Sequence, residues 1–267
     1  MKLSVHGREA YAYTGGKPFD PALPCVVFVH GALNDHSVWT LLARWFAHHG
    51  HSVLAVDLPG HRRSAGPALD SVEDMATWLL ALLDAADVRR AVLAGHSMGS
   101  LVALQAAGLA PERAVQVWML GTAYPMAVSP ALLDTSLNDP QRAIEMVANW
   151  SLSSLAAKPS YPGPGVWLHG SSRALMHQVL AGQGNQRLFH TAFSACAAYV
   201  GAEAAAARVA CPVHLVLGTA DQMTPPAAAQ ALARMLNARV HTVPAGHWLM
   251  AEAPDAVLAA LRSALAG

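Results

Sequence analysis

Charge is scarce in this chain. Only 13% of its 267 residues are charged, lysine plus arginine match aspartate plus glutamate at 17 each, and the formal net charge is zero with histidine neutral. No long basic run offers a footprint for a phosphate backbone, so nucleic acid is not an expected partner. Cysteine is nearly missing: Cys25, Cys196 and Cys211 lie far apart in apolar or alanine-rich contexts. That spacing supports neither a disulfide framework nor a cysteine zinc site, and buried free thiols are expected. Long apolar runs are absent too. Although 54% of the residues are hydrophobic, no uninterrupted stretch approaches the roughly 20 residues a spanning helix needs, so no membrane span is expected. Polar residues interrupt positions 1–8, which leaves no signal-peptide core and makes the cytoplasm the default location. Histidine, by contrast, is plentiful at 14. His48, His49 and His51 end a helical pattern, where imidazoles suit the helix C-terminus and solvent better than a metal.

What is present is an alternation. Residues 3–6 and 9–13 alternate around Gly7-Arg8 as a hairpin. Continuous apolar strands are predicted over 25–29, 52–56, 91–94 and 114–120, separated by helical patterns near 37–48, 71–86 and 97–109. Ser71 is placed to cap the second helix, with Asp70 as the alternative cap. From about 122 to 208 the pattern changes to helical patches broken by Pro125, Pro130, Pro140, Pro159, Pro162 and Pro164. It then resumes with strands at 213–217 and 239–243 and helices near 226–236 and 254–265. The reading is a doubly wound, mostly parallel α/β sheet with an inserted helical segment.

Chemistry enters at Gly95-His96-Ser97-Met98-Gly99, between an apolar strand and a helix. Small residues at both ends of G-x-S-x-G permit the sharp turn that lifts a serine hydroxyl out of the chain. A serine nucleophile needs a base, and the base needs an orienting carboxylate. Asp221 follows the strand ending at 217, and His247 follows the strand ending at 243. Carboxyl ends of parallel strands share one edge, so Ser97, Asp221 and His247 are expected in one crevice, in the order serine, acid, histidine. No carboxylate follows the strand ending at 120 before Asp134, which favours Asp221 as the acid. The oxyanion donors are expected to be the backbone N–H groups of Met98 and Ala32, where Gly31 lets the chain pass close. His30 is expected to brace that loop.

These motifs resemble those of the α/β-hydrolase superfamily of esterases, lipases and C–C hydrolases. His30-Gly31, the segment Asp57-Leu58-Pro59-Gly60-His61, Gly95 to Gly99, the loop 218–225, and Gly246-His247 before Glu252-Ala253-Pro254 carry the resemblance in order. It implies a core of residues 1–121 and 209–267 and a variable helical cap over 122–208. Serine at position 97, where halide- and epoxide-directed relatives use aspartate, implies acyl chemistry. The expectation is a serine hydrolase of carboxylic esters with a small-molecule acyl substrate, needing neither metal nor organic cofactor. Carbon–carbon hydrolysis of a vinylogous diketone acid, acyl transfer, perhydrolysis, and ligand binding without turnover are the alternatives.

Substrate-pocket candidates on the core are Leu33, His96 and Trp248. On the insertion they are Tyr124, Met126, Met146, Trp150, Trp167, Met176, Phe189 and Phe193, residues that offer apolar and polarizable surface. Arg62 and Arg63, where many relatives place glycine after Pro-Gly-His, are candidates to attract an anionic substrate. Monomer and homodimer both fit the sequence.

Overall fold

A computed structural model describes residues 1–153, 167–182 and 187–266. Strands β1 (Lys2–Val5) and β2 (Arg8–Tyr13) form the opening hairpin. Its turn is His6-Gly7, with φ of 49° and 74°, and Val5 pairs with Arg8. The turn therefore sits one residue earlier than Gly7-Arg8. A two-residue hairpin turn with both central residues at positive φ places glycine second, and Gly7 takes that place.

The remaining strands are β3 (Cys25–Val29), β4 (Ser52–Val56), β5 (Ala91–His96), β6 (Ala114–Leu120), β7 (Val213–Gly218) and β8 (Arg239–Val243). Helices α1 (Thr40–Ala47), α2 (Val72–Ala85) and α3 (Met98–Leu109) connect the first of them. Between β6 and β7 come α4 (Pro130–Asn138), α5 (Pro140–Ser151), α6 (Leu168–Gly182), α7 (Leu188–Ala198) and α8 (Ala202–Ala206). The chain continues with α9 (Gln230–Met235), α10 (Leu249–Glu252) and α11 (Pro254–Ala266). Ser71 caps α2 by accepting the Asp74 N–H at 3.0 Å. Pro130 and Pro140, read as breaks, are first-turn residues behind the caps Ser129 and Asp139, where a missing N–H costs nothing. Pro159, Pro162 and Pro164 lie outside the described residues.

The eight strands run in the order β1-β2-β4-β3-β5-β6-β7-β8, antiparallel over the first three and parallel from β4 onward. Both faces are apolar because alternate residues of each strand serve different cores. Val27, Val29, Leu54 and Val56 pack with α2 and α3 in one cluster, whereas Val26, Phe28, Val53 and Ala55 pack with α1 and α11 in the other. The doubly wound reading of the sequence is the fold observed. Among the described residues no helix is long and apolar enough to cross a membrane.

His30, His61 and His96 are buried near the carboxyl edge of this sheet. His30 Nδ1 lies 2.8 Å from the Gly31 carbonyl, and its Nε2 accepts the Leu58 N–H at 3.1 Å, so the ring braces two loops. Burial drives His30 below its ordinary value and takes His61 and His96 from 6.5 to about 3. Unfolding exposes rings that bind protons below pH 6.5, so the unfolded state holds more protons between pH 6.5 and about 3. Stability from these rings is complete above that window and lost on acidification, at up to about 1.4 kcal/mol per ring per pH unit. Urea midpoints measured from pH 7.5 to 5 are expected to fall below pH 6.5. A flat profile would contradict neutral burial.

Candidate active site

Ser97 ends β5 and begins α3 with φ 53° and ψ −122°, a backbone state that costs a non-glycine residue about 1–3 kcal/mol. The turn closes because its neighbours have no side chains. A Cβ on Gly95 would collide with the Gly99 carbonyl, and one on Gly99 would lie 2.6 Å from the His30 oxygen. The Ser97 N–H donates to Leu120 on β6 at 2.9 Å, which ties the elbow to the sheet. Gly31 runs past it so closely that a Cβ there would sit 3.1 Å from the Ser97 Cβ. Met98 N–H, at the start of α3, has no intrahelical acceptor. Among the described residues, the Ala32 N–H donates to no backbone carbonyl. Both lie where the chain bends round Ser97.

His247 and Asp221 form a buried pair: the Nδ1–H of His247 faces Asp221 Oδ2 at 2.8 Å. Asp221 is itself held in place. Its Oδ1 accepts the N–H groups of Met223 and Thr224, each at 2.8 Å, and its Oδ2 accepts the Thr224 hydroxyl at 2.8 Å. Burial alone would push this carboxyl up; the His247 charge and hydrogen bond and the Thr224 donors outweigh it and hold the group below the usual carboxylate range. The pair is therefore built to keep an anion beside an imidazole, which fixes the ring through its Nδ1.

The His247 loop is fastened to the inserted helices. Ser151, the last residue of α5, accepts the His247 N–H at 2.7 Å and the Trp248 N–H at 3.2 Å through one carbonyl. Glu252, almost wholly buried, accepts the Gly246 N–H at 3.1 Å on one oxygen and the Ser153 N–H at 3.0 Å on the other. From β5, His96 Nε2 lies 2.8 Å from the His247 carbonyl. Thr224 and Glu252 were in view as parts of motifs without a role. Their partners lie far off in the sequence or in a turn, and no local pattern announces them.

Two cavities meet at Ser97 and His247. The smaller, about 30 Å³, is walled by Asn34, His96, Ser151, Ser172, Met176 and Trp248. The larger, about 190 Å³, is walled by Met126, Val128, Leu132, Trp150 and Cys196, and Phe193 borders both. Of the pocket candidates, His96, Met126, Trp150, Met176, Phe193 and Trp248 are thus gathered round Ser97. The other five are not. Leu33 and Phe189 are fully buried in the apolar cluster beneath α4–α7, with Met146 packed against it. Tyr124 packs edge-on against Tyr199 at 6.2 Å, and Trp167 is 54% exposed at the start of α6. These are helix-packing and surface positions, which periodicity does not separate from a pocket wall. A larger open cavity of about 570 Å³ lies among β7, β8 and α9 and contains none of the groups described above.

Asp35, His36 and Asp57 have donor atoms within 4.8 Å of one another. Their oxygens are already spent: Asp57 accepts from His36 and the Arg63 N–H, and Asp35 from the Ser37 N–H and Arg62. The cluster ties the β3 loop to the β4 loop. Arg62 Nε is 3.0 Å from Asp35, and the Arg63 guanidinium sits 4.6 Å over the Tyr11 ring.

A family model described as the alpha/beta hydrolase family matches residues 26–260. A stretch of 126 residues is 41% identical to the dihydrolipoyllysine-residue acetyltransferase component of the acetoin cleaving system of Pseudomonas putida, covering 46% of this chain and 32% of that protein. The chain thus spans about a third of that relative. Among solved structures, the enol-lactonase of Burkholderia xenovorans superposes with a TM-score of 0.85 at 21% identity over all of both chains. A thermophilic esterase of Thermogutta terrifontis gives 0.79 at 21% identity, over all of this chain and 97% of the other.

The Glu252 clamp can be tested without any substrate. Glu252→Ala removes the carboxylate that accepts the buried Gly246 N–H, and a loss of about 2 kcal/mol is expected in urea unfolding. Hydrogen exchange at Gly246 should accelerate with it. Unchanged exchange at Gly246 would show that the carboxylate does not hold the loop.

Proposed function

The chain belongs to the alpha/beta hydrolase family, and on that premise we propose that it is a serine hydrolase that cleaves carboxylic esters through an acyl-enzyme. One observation carries the reading: a buried His247–Asp221 pair at 2.8 Å stands beside cavities that Ser97 and His247 line together. In this scheme His247 takes the Ser97 proton as the oxygen attacks the ester carbonyl. The N–H groups of Ala32 and Met98 receive the developing oxyanion. His247 then protonates the departing alcohol, and the same ring draws a proton from the water that hydrolyses the acyl-enzyme. Asp221, kept ionised by its donors, orients the ring and stabilises its charged form.

Residues 1–121 and 209–267 serve as the catalytic core, and 122–208 as a helical cap that shapes the acyl pocket. The apolar cluster shared by α4–α7, and the cavity walls supplied by Met126, Trp150 and Phe193, support that division. Of the solved relatives, one is named an esterase and another an enol-lactonase, both ester-directed names. Hydrolysis of a carboxylate-bearing diketone has less support, because Arg62 is paired with Asp35 and Arg63 is stacked on Tyr11.

A fluorophosphonate probe is expected to label the wild-type protein and leave Ser97→Ala unlabelled. On an ester that the wild type hydrolyses, Ser97→Ala should lose on the order of 10⁴-fold or more in kcat. Near-wild-type turnover by the variant, or an unlabelled and inactive wild type, would reject the assignment.

A further inference from the structure

The two cavities at Ser97 differ in chemistry as well as size. The larger is walled mainly by Met126, Val128, Leu132, Trp150 and Phe193, with Ser129, Gln222 and Thr224 also on its wall. In the smaller, Asn34 is 8% exposed, and its orientation is set: the Nδ2–H donates to the Ala32 carbonyl at 3.1 Å. Its Oδ1 is buried with no hydrogen-bond partner among the described residues. On the same wall, His96 is 1% exposed and places its Nε2 on the His247 carbonyl. The ring is neutral, burial having taken it to about 3, so with Nε2 donating, Nδ1 is a bare acceptor. It too has no partner among the described residues. Ser172, 2% exposed, adds a hydroxyl to this wall.

Buried acceptors without donors are unfavourable, and the group that relieves them must carry an O–H or N–H. The chamber, about 30 Å³, has room for a water or one small polar substituent and no more. A substrate hydroxyl can take over a displaced water's donation to one of these acceptors, whereas a methyl cannot. Sites built this way discriminate strongly against the isostere that lacks the donor.

We propose that this chamber is a donor-recognition subsite, and that the substrate is an ester with two unlike arms. A medium-length apolar arm occupies the larger cavity. The other arm, across the scissile carbonyl, is short and bears a hydroxyl whose single proton goes to Asn34 Oδ1. This inference rests on the ester-hydrolase reading and gives it a substrate class: esters of short hydroxy acids or of short diols.

Two matched pairs test it and separate those sources. Octyl lactate against octyl 2-methylpropanoate places the hydroxyl or its methyl isostere on the acyl side. The pair 2-hydroxyethyl octanoate and propyl octanoate places it on the alcohol side. One pair is expected to show kcat/KM at least tenfold higher for the hydroxylated member, and that pair identifies the arm. Asn34→Leu should bring the ratio below threefold. Ratios below tenfold in both wild-type pairs overturn the subsite, as does a preference that survives Asn34→Leu. The wild-type ratios decide the matter even where the variant fails to fold. Turnover of all four esters without preference removes only this inference, whereas no turnover together with an unlabelled Ser97 removes the ester reading beneath it.

Discussion

The crevice depends on how closely α3 approaches the end of β3. A Cβ on Gly99 would press into the carbonyls of Val29 and His30, so the helix start and the strand end meet as bare backbone. That contact brings Ser97 beside Gly31. It also forces the positive φ at Ser97, whose cost is met by the sheet bond to Leu120 and by the packing of a helix buried along nearly its whole length. The strain belongs to the arrangement: relaxing it would turn the hydroxyl back into the chain.

The second half of the site is held from outside the sheet as much as by it. His247 has its N–H on Ser151 of α5 and its carbonyl against His96 of β5, while its ring rests on Asp221 from the β7 loop. Glu252 adds a buried carboxylate that joins Gly246 to Ser153. A displacement of the end of α5 therefore bears directly on the backbone of His247. The inserted helices both wall the cavities and support the imidazole.

Much of this was legible in the text of the chain, for a physical reason. Strands such as Cys25–Val29, buried on both faces, must be continuous apolar runs, and tight turns such as Gly95–Gly99 must use small residues. Both constraints are local and leave a mark. The hairpin turn slipped by one residue because His6 and Arg8 are equally plausible flanks of Gly7, and only the pairing of Val5 with Arg8 decides. The insertion was harder. Phe189 and Phe193 are one turn apart on α7 with their rings tilted together at 4.5 Å, yet one is sealed in the cluster and the other borders Ser97. Nothing in their spacing distinguishes them. The roles of Asn34, Thr224 and Glu252 leave no mark in the sequence because a polar residue acquires meaning from its partner, and Glu252 and Ser153 are 99 positions apart.

The strand order also carries a consequence for the order in which the crevice forms. The Gly95–Gly99 turn, the loop that carries Gly31 and the sheet that supports them come from β3, β5 and β6, all in the part of the chain before Gly121. Asp221 and His247 arrive on β7 and β8, which add in sequence at one margin of that sheet. Ser97 is thus synthesised well before Asp221 and His247, and the three residues come together only when the final parallel pairings, which close long loops, are complete.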